Sequence, residues 1–139
     1  GEESGGLAVK GHIPERDGVW MGLLILEFMA KTGKSLTALL DEVYEIVGRF
    51  EYDRDDLHLT ENKKQEIISK CKAGAFDSIG SYSIMDTHDV DGYRFILEEG
   101  KWVMIRPSGT EPVLRVYAQG SSHDEVRNIL DATHKSLLN

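Results

Sequence analysis

Two alternating runs, Lys101-Trp102-Val103-Met104-Ile105 and Val113-Leu114-Arg115-Val116-Tyr117-Ala118, flank Arg106-Pro107-Ser108-Gly109-Thr110-Glu111-Pro112. Side chains two apart share one face of a strand, so each run reads as a half-buried strand and the segment between them as a loop. That pairing constrains the fold more than any other feature, because it requires a sheet with one covered face in the second half of the chain. The loop is also chemically unusual. Proline fixes φ and removes a donor, and glycine allows close approach to a ligand. Two hydroxyls, backbone N–H groups and the planar fork of Arg106 could converge on a small anion, with Arg115 adding a second cation. Ser, Gly, Thr and Pro also dominate ordinary turns, so the residues by themselves fit a plain polar connection equally well.

The rest of the second half supports the same sheet. Thr60 can cap a helix running to about Ala73, with Ile67 and Ile68 inward. Strands are expected near Ser83–Thr87, Tyr93–Glu98, Lys101–Arg106 and Val113–Gln119. Ser122-His123-Asp124-Glu125 has capping-box spacing and opens a last helix with Val126, Ile129, Leu130 and Leu137 on its buried side. The charged stretch Glu51–Asp56 reads as a linker or the lead into the first strand. In the first half, Asp17 opens a buried helix closed near Gly33. A second helix runs from Ser35 to about Val47 and ends at Gly48, with Leu36, Leu39, Leu40, Val43, Ile46 and Val47 on one face. Residues 1–48 therefore read as the latter part of an α/β domain: strand end, loop, short strand and two helices.

A formal charge of −8, from 16 basic and 24 acidic residues among 139, argues against nucleic acid or anionic membranes as partners. It also makes any anion binding depend on local cations. The longest apolar run, Val19 to Ala30, contains Gly22 and Glu27 and is too short to span a bilayer. Cys71 is the single cysteine, which excludes an internal disulfide framework and suits a reducing, cytoplasmic setting; its place in a helical pattern points to packing.

Three signals lead elsewhere and are weaker. Asp89-Val90-Asp91-Gly92 through Glu98 fits a calcium-binding helix–loop–helix pattern at several positions, but Thr87 occupies the first ligand position. Asp91-Gly92 suits a hairpin turn better. The histidines, at 12, 58, 88, 123 and 134, show no short metal-ligand spacing. Ser108 has no evident base and does not read as a nucleophile.

The run RPSGTEP followed by VLRVYAQG resembles the phosphate-binding loop in the last domain of the α-D-phosphohexomutases, the phosphoglucomutase and phosphomannomutase family. The opening Gly1-Glu2-Glu3-Ser4-Gly5-Gly6 resembles the sugar-binding loop of that family's third domain, and so does the stretch His12–Trp20 that follows. The resemblance implies a third-domain part at residues 1–50 and a fourth domain at 51–139. The latter would be an α+β unit with a four-stranded, mainly antiparallel sheet and helices on one face, TATA-box-binding-protein-like. Glu2 and Ser4 would bind sugar hydroxyls. Arg106, Ser108, Gly109 and Thr110 would bind phosphate, with Arg115 beside them and Arg16 as a further substrate contact.

The implied parent is an isomerase of carbohydrate metabolism, interconverting hexose 1- and 6-phosphates of glucose or mannose through a phosphoserine, with Mg2+ and a hexose bisphosphate activator. Neither the serine loop nor the aspartate-rich magnesium loop of that family is present in this sequence. The expected partners are therefore a phosphorylated hexose and the missing N-terminal domains of the same protein, and the chain alone is expected to be inactive. Glu-Glu-Ser-Gly-Gly departs from the Glu-Gln-Ser-Gly-His type of loop associated with phosphoglucosamine mutases, which disfavours that substrate. The alternative is a non-catalytic module that binds a phosphorylated ligand or a protein.

Overall fold

The computed structural model describes residues 1, 6–98, 100–109 and 111–138. Glu2, Ser4 and Thr110 lie outside the described residues. The chain divides into two compact units, Gly1–Gly48 and Arg49–Asn139.

In the first unit, helix α1 spans Gly18–Thr32 and α2 spans Leu36–Val47. The Asp17 carboxylate accepts from the Trp20 N–H at 2.9 Å and opens α1. Gly33, in the left-handed region at φ 67°, closes it by donating to Met29 O. Ser35 caps α2 through Ala38 N–H, and Gly48 ends it. The expected short strand is reduced to a bridge between Lys10 and His12. A strand needs a neighbour for its N–H and C=O groups, and no other described segment of this unit offers one. Met21 and Leu39 are buried, whereas Val19, Leu23, Leu26, Leu36, Ile46 and Val47 are exposed.

In the second unit the strands are β1 (Glu51–His58), β2 (Ser78–Ile79), β3 (Tyr82–Ser83), β4 (Asp86–His88), β5 (Tyr93–Glu98), β6 (Lys101–Pro107) and β7 (Val113–Gly120). The helices are α3 (Glu61–Lys72) and α4 (His123–Leu138). One sheet runs β1-β7-β6-β5-β4, antiparallel at every pairing, and β2 pairs separately with β3. The fold class is the expected one, with five strands instead of four.

The added strand is β1, formed by the charged stretch expected to be a linker or the lead into the first strand. It lies at the edge of the sheet beside β7. Asp53 and Asp55 share a face with Leu57, and α4 supplies their partner. Arg127 donates to both oxygens of Asp55 at 2.9 and 3.0 Å and to Asp53 at 3.2 Å. The strand thus sets half-buried carboxylates against a guanidinium where an ordinary strand would carry aliphatic side chains. The expected strand Ser83–Thr87 is split between β3 and β4. The remaining three appear as expected within a residue at each end.

The core lies between one sheet face and both helices. Phe95, Leu97, Val103, Ile105, Leu114, Val116 and Ala118 meet Ile67 and Cys71 of α3 and Val126, Ile129, Leu130 and Leu137 of α4. Burying each of the larger aliphatic side chains stabilises the unit by about 1.5–3 kcal/mol. Thr60 caps α3 through Lys63 N–H. At α4, Ser122 Oγ accepts from Glu125 N–H, while the Glu125 carboxylate reaches back to Ser121 N–H and Oγ, one residue further than the usual reciprocal box.

Candidate functional site

Residues 108–112 connect β6 to β7, the position read from the alternation. The connection is closed by Ser108 N–H donating to Val113 O at 3.0 Å and by Val113 N–H donating to Glu111 O at 2.8 Å. The Ser108 hydroxyl accepts from Glu111 N–H at 3.3 Å, so it serves the turn itself.

The corner between β1 and α3 holds the loop from one side. Leu59 N–H donates to Pro112 O at 3.2 Å. Lys64, in the first turns of α3, is only 6% exposed and donates to Ser108 O at 2.8 Å and Glu111 O at 3.0 Å. Sequence reading missed Lys64, although a signal existed. Its spacing to Ile67 and Cys71 places a lysine on the apolar face of α3, where an ammonium requires buried acceptors.

The strand register places Arg106 directly opposite Arg115, and Arg115 directly opposite Asp56 on β1. Like charges directly opposite each other on neighbouring strands are destabilising by a fraction of a kcal/mol to about 1 kcal/mol. Part of that repulsion is offset locally. Arg106 Nη2 lies 3.3 Å from Asp91 Oδ2, in the turn between β4 and β5. The Nε of Arg115 is buried and finds no hydrogen-bond partner among the described residues.

Asp91-Gly92 forms the turn expected of it, and Gly92 is required there. Its φ is 102°, and a Cβ would come within 2.7 Å of Ile105 O and 3.1 Å of Arg106 Cα. The turn therefore lies directly against the backbone that carries Arg106. Neither Asp91 nor Gly92 was read from sequence as part of this neighbourhood.

The structure thus brings Arg106, Ser108, Gly109 and Arg115 into one neighbourhood, and Thr110 falls outside the described residues. Arg16 belongs to the first unit, where its Nε and its backbone N–H both reach Glu15 Oε1. Those bonds, the backbone one foremost, hold the Glu15 carboxyl below its ordinary range. Glu2 and Ser4 are also outside the described residues. Among the described residues no three His, Cys, Asp or Glu side chains are grouped to hold a metal ion. No helix is long and apolar enough to cross a membrane. Burial pushes the Cys71 thiol up to about 12, which leaves it protonated and suited to packing.

Comparison with known proteins matches both units. Residues 57–136 match the family description "Phosphoglucomutase/phosphomannomutase, C-terminal domain", and residues 1–47 match its "alpha/beta/alpha domain III". A phosphoglucomutase/phosphomannomutase of Thermococcus kodakarensis is 32% identical over 99% of this chain and 28% of its own length. A probable phosphoglucosamine mutase of Methanothermobacter thermautotrophicus is 32% identical over 88% of this chain and 26% of its own length. The chain thus spans about a quarter of the length of these relatives. Among solved structures, a phosphoglucomutase/phosphomannomutase family protein from Burkholderia thailandensis covers 91% of this chain, and 24% of that protein is covered in turn. Its TM-score of 0.61 at 21% identity shows a shared fold. With both family descriptions matched in order along the sequence, the chain belongs to the phosphoglucomutase/phosphomannomutase family.

Proposed function

We propose that the loop between β6 and β7 binds the non-reacting phosphate of a phosphorylated hexose. The chain then serves as the substrate-gripping C-terminal part of a mutase that interconverts hexose 1-phosphate and hexose 6-phosphate. The observation that carries this reading is the cross-strand pair Arg106 and Arg115 beside the loop. Two guanidinium groups are set opposite each other in a chain whose formal charge is −8. A phosphate between them turns a repulsive pair into two charge-assisted contacts. Arg106 would supply a fork to the phosphate oxygens, and the Ser108–Thr110 segment would add backbone and hydroxyl donors. Glu2 and Ser4 would bind the sugar hydroxyls, with Arg16 a further contact. The carboxylate of Glu2 can accept from two neighbouring hydroxyls of one ring and so read their geometry.

The phosphoserine and magnesium of the full reaction belong, in this reading, to other domains of the parent protein. The described residues here do not group to hold a metal ion. What these residues contribute is binding and orientation. They would hold one end of the bisphosphate intermediate while its other phosphate faces the serine. Glucose and mannose phosphates are the substrates favoured by the Glu2–Gly6 sequence. The relatives named phosphoglucosamine mutase support a second reading, a 2-amino hexose, and competition between glucose and glucosamine phosphates in the parent enzyme decides between them.

Titration of this chain with glucose 1-phosphate, followed by amide NMR, tests the loop assignment. The amides from Arg106 to Thr110 should shift first. Affinity should be millimolar or weaker, because few groups offset the lost freedom of the ligand. Shifts confined to another region would show the assignment to be wrong.

A further inference from the structure

We propose that Lys64 is a positioning residue for the anion loop, and this rests on the reading of that loop as the phosphate site. Lys64 Nζ sits 2.8 Å from Ser108 O and 3.0 Å from Glu111 O, with Glu61 Oε2 at 3.6 Å. An ammonium with so little exposure must find acceptors, and two of those it finds are main-chain carbonyls of the loop. A structural lysine could equally well have been satisfied by α3 or by the sheet.

The consequence follows from the peptide plane. The described residues contain no cis peptide bond, so the C=O and N–H of the Ser108–Gly109 peptide point in opposite directions. Drawing Ser108 C=O onto Lys64 turns the Gly109 N–H away from Lys64, toward the other side of the loop. Glu111 C=O is held in the same way, and its peptide partner Pro112 has no N–H to present. Carbonyl oxygens repel an anion, and Lys64 collects two of them on its own side. Its charge also lies behind the Gly109 N–H, where it is poorly screened. Lys64 therefore orders the loop with that N–H outward and adds positive potential without touching the ligand.

The test uses the full 139-residue chain with glucose 1-phosphate and inorganic phosphate as probes, read by amide and carbonyl NMR. Lys64→Met should leave the amides of β5 and β7 near their wild-type positions and move the Ser108 and Glu111 carbonyl resonances. It should weaken binding of both probes by about tenfold, as expected for losing one charge-assisted arrangement. Lys64→Arg should recover part of the affinity. Because NMR reads the dissociation constant of folded molecules, a purely structural lysine would lower the melting temperature and leave that constant unchanged. Equal affinity of wild type and Lys64→Met at the loop overturns the role of Lys64 while the loop assignment stands. A wild-type loop that ignores both probes overturns the loop assignment, and the role of Lys64 with it. Should Lys64→Met fail to fold, Lys64→Gln, which keeps an N–H donor and loses the charge, is read by the same criteria.

Discussion

Replacing Gly92 by alanine should be among the costliest single-methyl changes in the second unit, and the structure separates two reasons. The first is conformational. At φ 102° the backbone lies beyond the left-handed well, where an L side chain costs at least about 1–2 kcal/mol. The second is steric. The new Cβ would meet Ile105 O at 2.7 Å and Arg106 Cα at 3.1 Å, both main-chain atoms of β6 that cannot rotate aside. Forcing extra volume into a packed site costs about a further 1–3 kcal/mol, for a total of about 2–5 kcal/mol. Gly100→Ala is the control, since φ there is 74° and a Cβ meets nothing within 4 Å. It should carry only the conformational cost of about 1–2 kcal/mol. Urea unfolding followed by circular dichroism, with wild type and both variants side by side, measures the difference. For a unit of this size each kcal/mol lowers the melting temperature by about 4–8 °C, so the two variants should separate clearly in a thermal scan. A Gly92→Ala variant within about 0.5 kcal/mol of Gly100→Ala would refute the steric argument. The same displacement should reach Arg106, so Gly92→Ala should also weaken phosphate binding while Gly100→Ala does not.

Four further outcomes are expected. In the full-length parent enzyme, Arg106→Ala should weaken substrate binding roughly tenfold to a hundredfold without abolishing phosphorylation of the serine, and Arg106→Lys should recover only part, as steady-state kinetics and phosphoserine detection would show. The Glu125 carboxyl is held at about 2 by Ser121 N–H, the Lys101 ammonium and the Ser121 hydroxyl. Being depressed below its unfolded value, it stabilises the fold above about pH 4.5 and loses that stabilisation as pH falls toward 2. Glu125→Gln should therefore be less stable than wild type near neutrality, and the urea midpoints of the two should converge in acid. This chain alone should show no mutase turnover in a coupled assay with magnesium and a hexose bisphosphate, because binding groups without the phosphoryl carrier hold ground and transition states comparably; turnover that tracks the chain through purification would contradict the assignment. Hydrogen exchange should find α1 and α2 less protected than β5–β7 and α4, since they bury few of their apolar side chains.

The sequence made β5, β6 and β7 legible because each has one face on the core, so alternation survives in the residues themselves. Helices α1, α3 and α4 were legible from their caps, and Asp17, Thr60 and Ser122 all accept from the first turn as their positions imply, whereas α2 was legible from its apolar face, with Ser35 proving to be its cap. Strand β1 was not legible. Its inward residues Asp53 and Asp55 are compensated by Arg127, which lies on α4 far along the chain, and pattern reading prices a carboxylate without its partner. The loop itself was found from local residues, while its support was not. Lys64, Asp91 and Gly92 reach it through tertiary contacts, and only Lys64 left a trace, as a charge on an apolar stripe.

On the proposed reading, the magnitudes around Arg106 let an acidic chain offer an anion site. Arg106 faces Asp91 at 3.3 Å, with Arg106 38% and Asp91 72% exposed. An ion pair that open contributes about 0–1 kcal/mol. On the proposed reading, a bidentate contact to phosphate would contribute about 1.5–3 kcal/mol, more than the Asp91 contact it replaces. The opposed arginines add to the preference, because phosphate relieves their repulsion from a position between them, whereas Asp91 reaches only Arg106's side of the pair among the contacts seen. Asp91 keeps a guanidinium near its working position without competing strongly for it. The local arrangement would thus outweigh the repulsive field of the whole chain, which is screened over about 8–10 Å at physiological salt while contacts at hydrogen-bond distance are not.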